Sequence, residues 1–243
     1  MEKRIIARGV LAGAIGGVLA FFFARTFVEP VIERAIAFEE LHDHGGHEHG
    51  VELFSRGVQA NIGMGFGVLA FGVAMGALFA VAYCVAYGRV GNIAPRLLSL
   101  LLAGGMFLSL YVIPFLKYPP SPPAASLEET IRQRTLLYLL MVVLSAALLV
   151  AAVYVGRSLV ERYGGWSAAL IAAGSYVVAI AIVMLALPTI DETPDHFPAD
   201  VLYEFRLYSL GTQLVLWAII GLVFASMAQR LLGETRRRES VSA

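Results

Sequence analysis

The chain has 243 residues, of which 58% are hydrophobic and only 15% charged, with 18 basic residues balancing 18 acidic ones. Soluble domains carry about a quarter charged residues. A mean hydropathy of +0.75 instead implies an all-α, polytopic integral membrane protein. Zero net charge leaves no electrostatic footprint for nucleic acid, and the single Cys84 excludes an internal disulfide framework and thiolate-rich zinc sites.

Six apolar stretches, residues 5–28, 58–87, 97–116, 135–155, 166–187 and 210–228, approach or exceed the length that crosses a bilayer, which is about 20 residues for roughly 30 Å of hydrocarbon. They predict about six transmembrane helices, because a lipid-facing segment must satisfy its own backbone hydrogen bonds. Lys3, Arg4 and Arg8 stand at the start of the first stretch as they would in a signal peptide. Its apolar run outlasts a typical h-region, and "FFFARTFV" is a poor cleavage site, so an uncleaved helix is expected. Within it, "GAIGG" at 13–17 reads as helix-packing surface, since no strand precedes it to make a phosphate loop. The second stretch carries Gly63, Gly67, Gly72 and Gly76 at spacings of four and five, a pattern that lets helices approach closely.

Between these two stretches lies "LHDHGGHEHG", which holds four of the five histidines of the chain. Gly45 and Gly46 favour a turn. In extended segments alternate residues face the same way, which pairs His42 with His44 and His47 with His49. A turn at the glycines would bring the four imidazoles together. Imidazole is a ligand for Co²⁺, Ni²⁺, Zn²⁺ and Cu²⁺ alike, so the loop predicts a divalent transition-metal site without choosing the metal. The plainer reading is a polar loop with incidental histidines. A glycine-centred loop suits capture and hand-off more than a rigid catalytic site.

Lys and Arg distribution gives the expected orientation. With both termini cytoplasmic, eleven basic residues flank the helices inside and seven outside. The histidine loop then lies outside the cell membrane. The external loops are acidic: residues 26–57 carry seven Asp and Glu against Arg34 and Arg56, and residues 188–208 carry five against Arg206. Such a face concentrates cations. The last loop, "DETPDHFPAD", adds a second candidate metal group, Asp191, Asp195 and His196, braced by Pro188, Pro194 and Pro198. The alternative for these acids is helix capping and pairing with Arg206.

The expected organisation is a single transmembrane domain over 1–243, with a His-rich external loop at 29–57 and a Pro-rich acidic one at 188–208. A faint echo links the segments after the third and fifth stretches. Each leaves through a proline, has another proline six residues on (Pro114 and Pro120; Pro188 and Pro194), and reaches an arginine eighteen residues past the first (Arg132 and Arg206). Two parallel hairpins, or convergent loop composition, would give this pattern. No Asp or Glu falls centrally in any stretch, so no proton relay is evident.

Several segments together resemble the CbtA family of predicted cobalt transporter subunits. They are "ARGVLAGAIGGVLA", "EPVIERAIAFEE" followed by His-rich sequence, "LKYPPSPP…ETIRQRTLLYLL", and "FPADVLYEFRLYSLGTQLVLWAIIGLVF". The resemblance spans nearly the whole chain and is most specific in the KYPPSPP and FPADVLYEFRLYS segments. It implies a bacterial-type membrane protein of about five spans linked to cobalt uptake for cobalamin synthesis. It also implies a small partner subunit with one membrane helix. The expectation is thus a non-enzymatic component of a divalent metal uptake system, with cobalt first and nickel or zinc as alternatives. A membrane sensor or assembly factor that transports nothing remains open. A membrane-embedded metalloenzyme would need histidine pairs at helix ends facing one cavity, which five histidines confined to two loops do not provide. There is no nucleotide-binding motif, so energy would come from the membrane potential, worth about 2.3 kcal/mol per charge per 100 mV, or from another subunit.

Overall fold

The computed structural model describes residues 2–42, 55–91, 93–122, 125, 128–190, 193 and 196–242. Among these there is no strand. Helices α1 (Glu2–Phe23), α2 (Glu29–His42), α3 (Arg56–Val58), α4 (Met64–Ala86), α5 (Pro95–Phe107), α6 (Ile113–Lys117), α7 (Glu128–Ala186) and α8 (Ala199–Ser242) follow in order. Five-residue π-helical turns at Ala24–Val28, Gln59–Gly63 and Leu108–Val112 join α1 to α2, α3 to α4 and α5 to α6.

Five of the resulting continuous helices are long and apolar enough to cross a membrane: Glu2–Leu41, Arg56–Ala86, Pro95–Lys117, Thr130–Ala186 and Ala199–Gln229. The fourth contains two of the six sequence stretches. Its helical geometry breaks at Gly164, with φ 75° and ψ 161°, a conformation open to glycine and strained for any other residue. The arms on either side fold back on each other, so the six stretches and the five continuous helices describe the same crossings. The connection between these arms stays helical up to the glycine pair.

Prolines account for two of the π turns. Pro30 and Pro114 have no N–H to return to the carbonyls of residues 26 and 110, and their rings crowd those carbonyls. Widening the preceding turn relieves the clash. The Glu29 N–H then bonds Ala24 O, and the freed Leu110 carbonyl accepts from the Tyr138 hydroxyl at 3.5 Å.

The chain forms two compact units, one of residues 1–104 and 199–243, the other of residues 105–198. In the first, α1 packs against both α4 and α8. A Cβ on Gly13 would stand 2.2 Å from Gly72 O, and one on Gly76 2.2 Å from Gly9 O. The α1 and α4 backbones therefore touch where glycine faces glycine, the close approach that "GAIGG" and the Gly72–Gly76 pair predict. Gly63 and Gly67 share that spacing but take no part: a Cβ on Gly67 would meet nothing within 4 Å. Gly16 faces Leu216 and Ile220 on α8. Phe79, Tyr83 and Phe224 fill the α4–α8 side as edge-on aromatic pairs at 4.9–5.0 Å.

In the second unit the two arms of α7 enclose Met141, Ala152, Tyr176 and Ile180, joined by Ile113 and Tyr118. A Cβ on Gly156 would stand 2.9 Å from that of Ala172, so the arms too meet through small residues. The buried Ser145 and Tyr176 hydroxyls bond across them at 2.8 Å. Tyr176→Phe should cost about 0.6 kcal/mol, the mean for an interhelical hydrogen bond in a membrane, as read by unfolding in detergent. At one end of this unit Tyr118 donates to Pro188 O at 2.7 Å. This brings together the two proline segments that echo each other in the sequence. Burial pushes the Tyr118 phenol pKa up, so it remains a donor throughout the physiological range.

Candidate functional site

The expected external loops are shorter than their sequence suggests. The loop placed at 29–57 begins as α2, which runs to His42. Val31 and Ala35 on that helix are buried at 1% and 0% exposure, so an apolar stripe continues α1 beyond the point where charged residues lower its hydropathy. His42 is therefore the last residue of a helix. His44, His47 and His49 lie outside the described residues, as do Asp191 and Asp195. His196 is exposed, with φ 68°. That left-handed backbone is several times commoner for histidine than for most non-glycine residues, and still worth notice. The loop placed at 188–208 ends where α8 begins, at Ala199.

What the structure does bring together is a set of charged and polar side chains at one end of the first unit. This is the end where α2 leaves α1 and where α3 and α8 start. Arg25, in the first π turn, donates through Nε to Asn61 Oδ1 in the second at 2.9 Å. Asn61 in turn donates to Gly57 O at 2.8 Å. One turn beyond Arg25, Glu29 pairs with Arg56 on α3. Another turn on, Arg34 reaches α8, pairing with Glu204 and standing 3.7 Å from Asp200. Asp200 and Glu204 are four apart and so share a helical face. Both are partnered by Arg34.

Burial separates these pairs. Arg34 and Asp200 are 44% and 69% exposed, and such surface pairs contribute little, about 0–1 kcal/mol. The Glu29 side chain is 1% exposed. Its Oε2, like Arg56 Nε, is buried without a hydrogen-bond partner among the described residues. The only sequence signals for Glu29 are a Glu–Pro step closing an apolar run and its place in the EPVIERAIAFEE segment. Among the described residues no group of three His, Cys, Asp or Glu could hold a metal ion.

The family model described as "Probable cobalt transporter subunit (CbtA)" matches residues 2–229. The chain belongs to the CbtA family. Comparison with curated proteins and with solved structures gives no match. The match takes in every crossing and both segments with candidate ligands. It identifies this CbtA chain as a subunit of a cobalt transport system, embedded in the membrane by several apolar helices. The polar cluster at Arg25, Glu29, Arg34, Arg56 and Asn61 sits on the elements that flank the histidine segment. His42 closes α2 before that segment, and Arg56 opens α3 just after it.

Proposed function

We propose that this CbtA protein is the permease component of a divalent transition-metal uptake system, with cobalt as cargo, and that it captures the ion on its outer face. Membership of the family over residues 2–229 carries the cobalt assignment. The capture site is the histidine segment, with His42, His44, His47 and His49 as collecting ligands. Asp191, Asp195 and His196 form the group that receives the ion and governs its entry. Four imidazoles in eight positions, in a chain with one other histidine, are the observation behind the first assignment. Three prolines bracing a mixed carboxylate–imidazole segment are behind the second. The partner is a small subunit with a single membrane helix. Nickel and zinc are the competing cargoes.

Orientation is part of the proposal: both termini are cytoplasmic, as the Lys and Arg bias indicates. A cysteine introduced at Gly45 should react with a membrane-impermeant maleimide on intact cells, and one at Arg237 only after permeabilisation. The reverse pattern would overturn outward capture. Transport is separated from sensing or assembly by radiolabelled cobalt accumulation in vesicles holding this chain alone and then with its partner subunit. Accumulation in either case supports a permease, whereas binding without accumulation in both supports a sensor.

A further inference from the structure

Glu29 presents a problem that a structural clamp does not solve. Guanidinium and carboxylate groups pair best through two parallel N–H···O bonds. Here Arg56 binds Oε1 only, while Oε2 and Arg56 Nε are both buried and, among the described residues, unpartnered. A buried acceptor left unmade is costly, and more so when it carries charge. A pair selected only to hold α3 against α2 would close both legs.

We propose that Glu29 Oε2 is a transfer point for the divalent cation cargo, and that Arg56 is an internal counter-cation which the cargo displaces. This rests on the transport reading above and adds a residue to its route. Carboxylate oxygen is a ligand that a borderline dication accepts alongside imidazole and water. The two partners differ in freedom: the Arg56 side chain is 40% exposed, that of Glu29 1%. Arg56 can therefore swing into water while the carboxylate stays fixed at the Glu29–Pro30 step. Nearby positive charges are already engaged, Arg25 by Asn61 and Arg34 by Asp200 and Glu204. One carboxylate with water completing the shell binds weakly, and a site on a permeation route must release its ion.

The two readings predict opposite signs. If Arg56 competes with the cation, Arg56→Gln should tighten Co²⁺ binding by about tenfold, within the 5–150-fold range of ordinary coupling between linked binding events. Glu29→Gln should abolish that component. Titration calorimetry of the purified full-length protein with Co²⁺ alone, in a background where the four loop histidines are alanine, reads both effects. Unchanged or weaker binding in Arg56→Gln overturns the proposal. Should Arg56→Gln fail to fold, Glu29→Gln with Arg56→Gln, which buries no lone charge, replaces it. Loss of the Co²⁺-induced rise in melting temperature in that double variant supports the proposal, and an undiminished rise overturns it. Failure of the transport reading would show separately, as absence of cobalt accumulation by the unmodified protein.

Discussion

Gly76→Leu should separate α1 from α4 and destabilise the first unit by on the order of 3 kcal/mol, the upper range for overpacking a closed interface. The atoms that a Gly76 Cβ would meet are Gly9 O at 2.2 Å and Gly13 Cα at 2.7 Å. Both belong to backbone, so no rotamer change makes room. The helix pair has to part, and with it the contacts that Gly72 makes with Gly13 and Gly17. In lipid there is no hydrophobic drive to bring the helices back, because association depends on close packing itself. Gly67→Leu is the internal control. It lies two and a half turns away on the same helix, where a side chain meets nothing within 4 Å, and it should change stability by no more than about 0.5 kcal/mol. Thermal unfolding of both variants in detergent checks the pair. Equal loss in both would mean that glycine is needed for some reason other than the α1–α4 contact.

These glycines also mark how far the sequence is legible. "GAIGG" reads as packing surface because no strand precedes it and the run is apolar throughout, and the structure places it against Gly72 and Gly76. Spacing alone cannot separate Gly72 and Gly76 from Gly63 and Gly67, since all four satisfy the same small-residue pattern. Which of them meets another helix is decided by the partner. Hydropathy likewise finds the long apolar helices but misplaces their ends. It reads a loop from residue 29, where an amphipathic continuation of α1 persists to His42, because Glu29, Glu33, Arg34, Glu39 and Glu40 mask the stripe of Val31 and Ala35. The ion pairs lie beyond sequence reading altogether. Glu29 and Arg56 are 27 positions apart and Arg34 and Glu204 are 170 apart, and neither pair follows a local rule. Conversely, the proline echo is visible in the sequence, but the Tyr118–Pro188 bond that joins its two halves is not.

Replacing His42, His44, His47 and His49 together by alanine should weaken Co²⁺ or Ni²⁺ binding to the purified protein by at least about tenfold. Loss of a mere supporting partner of a metal ligand already costs 10–100-fold, and here the ligands themselves go. The same site makes binding pH-dependent in a defined direction. Imidazole coordinates only when neutral and its reference pKa is about 6.5, so the ion must displace protons below that value. Affinity should fall below about pH 6 and level off above about pH 7.5. The quadruple variant should lose this dependence together with the affinity. Unchanged affinity in the variant would return the segment to an ordinary polar loop, and metal binding would have to be sought at Asp191, Asp195 and His196, or at Glu29.

The central claim is that outward capture by the histidine segment feeds an entry step governed elsewhere, and the initial rate of cobalt uptake against external cobalt tests it most directly. The comparison is among cells expressing the unmodified chain, the four-histidine variant, and Asp195→Ala with His196→Ala. A capture site raises local ion concentration without setting turnover. The four-histidine variant should therefore need more cobalt for half-maximal uptake yet reach the same plateau. The Asp195 and His196 variant should show a lowered plateau that added cobalt does not restore. A lowered plateau in the histidine variant with an unaffected entry variant would contradict the assignment of roles, and no uptake above vector control by the unmodified chain with its partner would contradict the account as a whole.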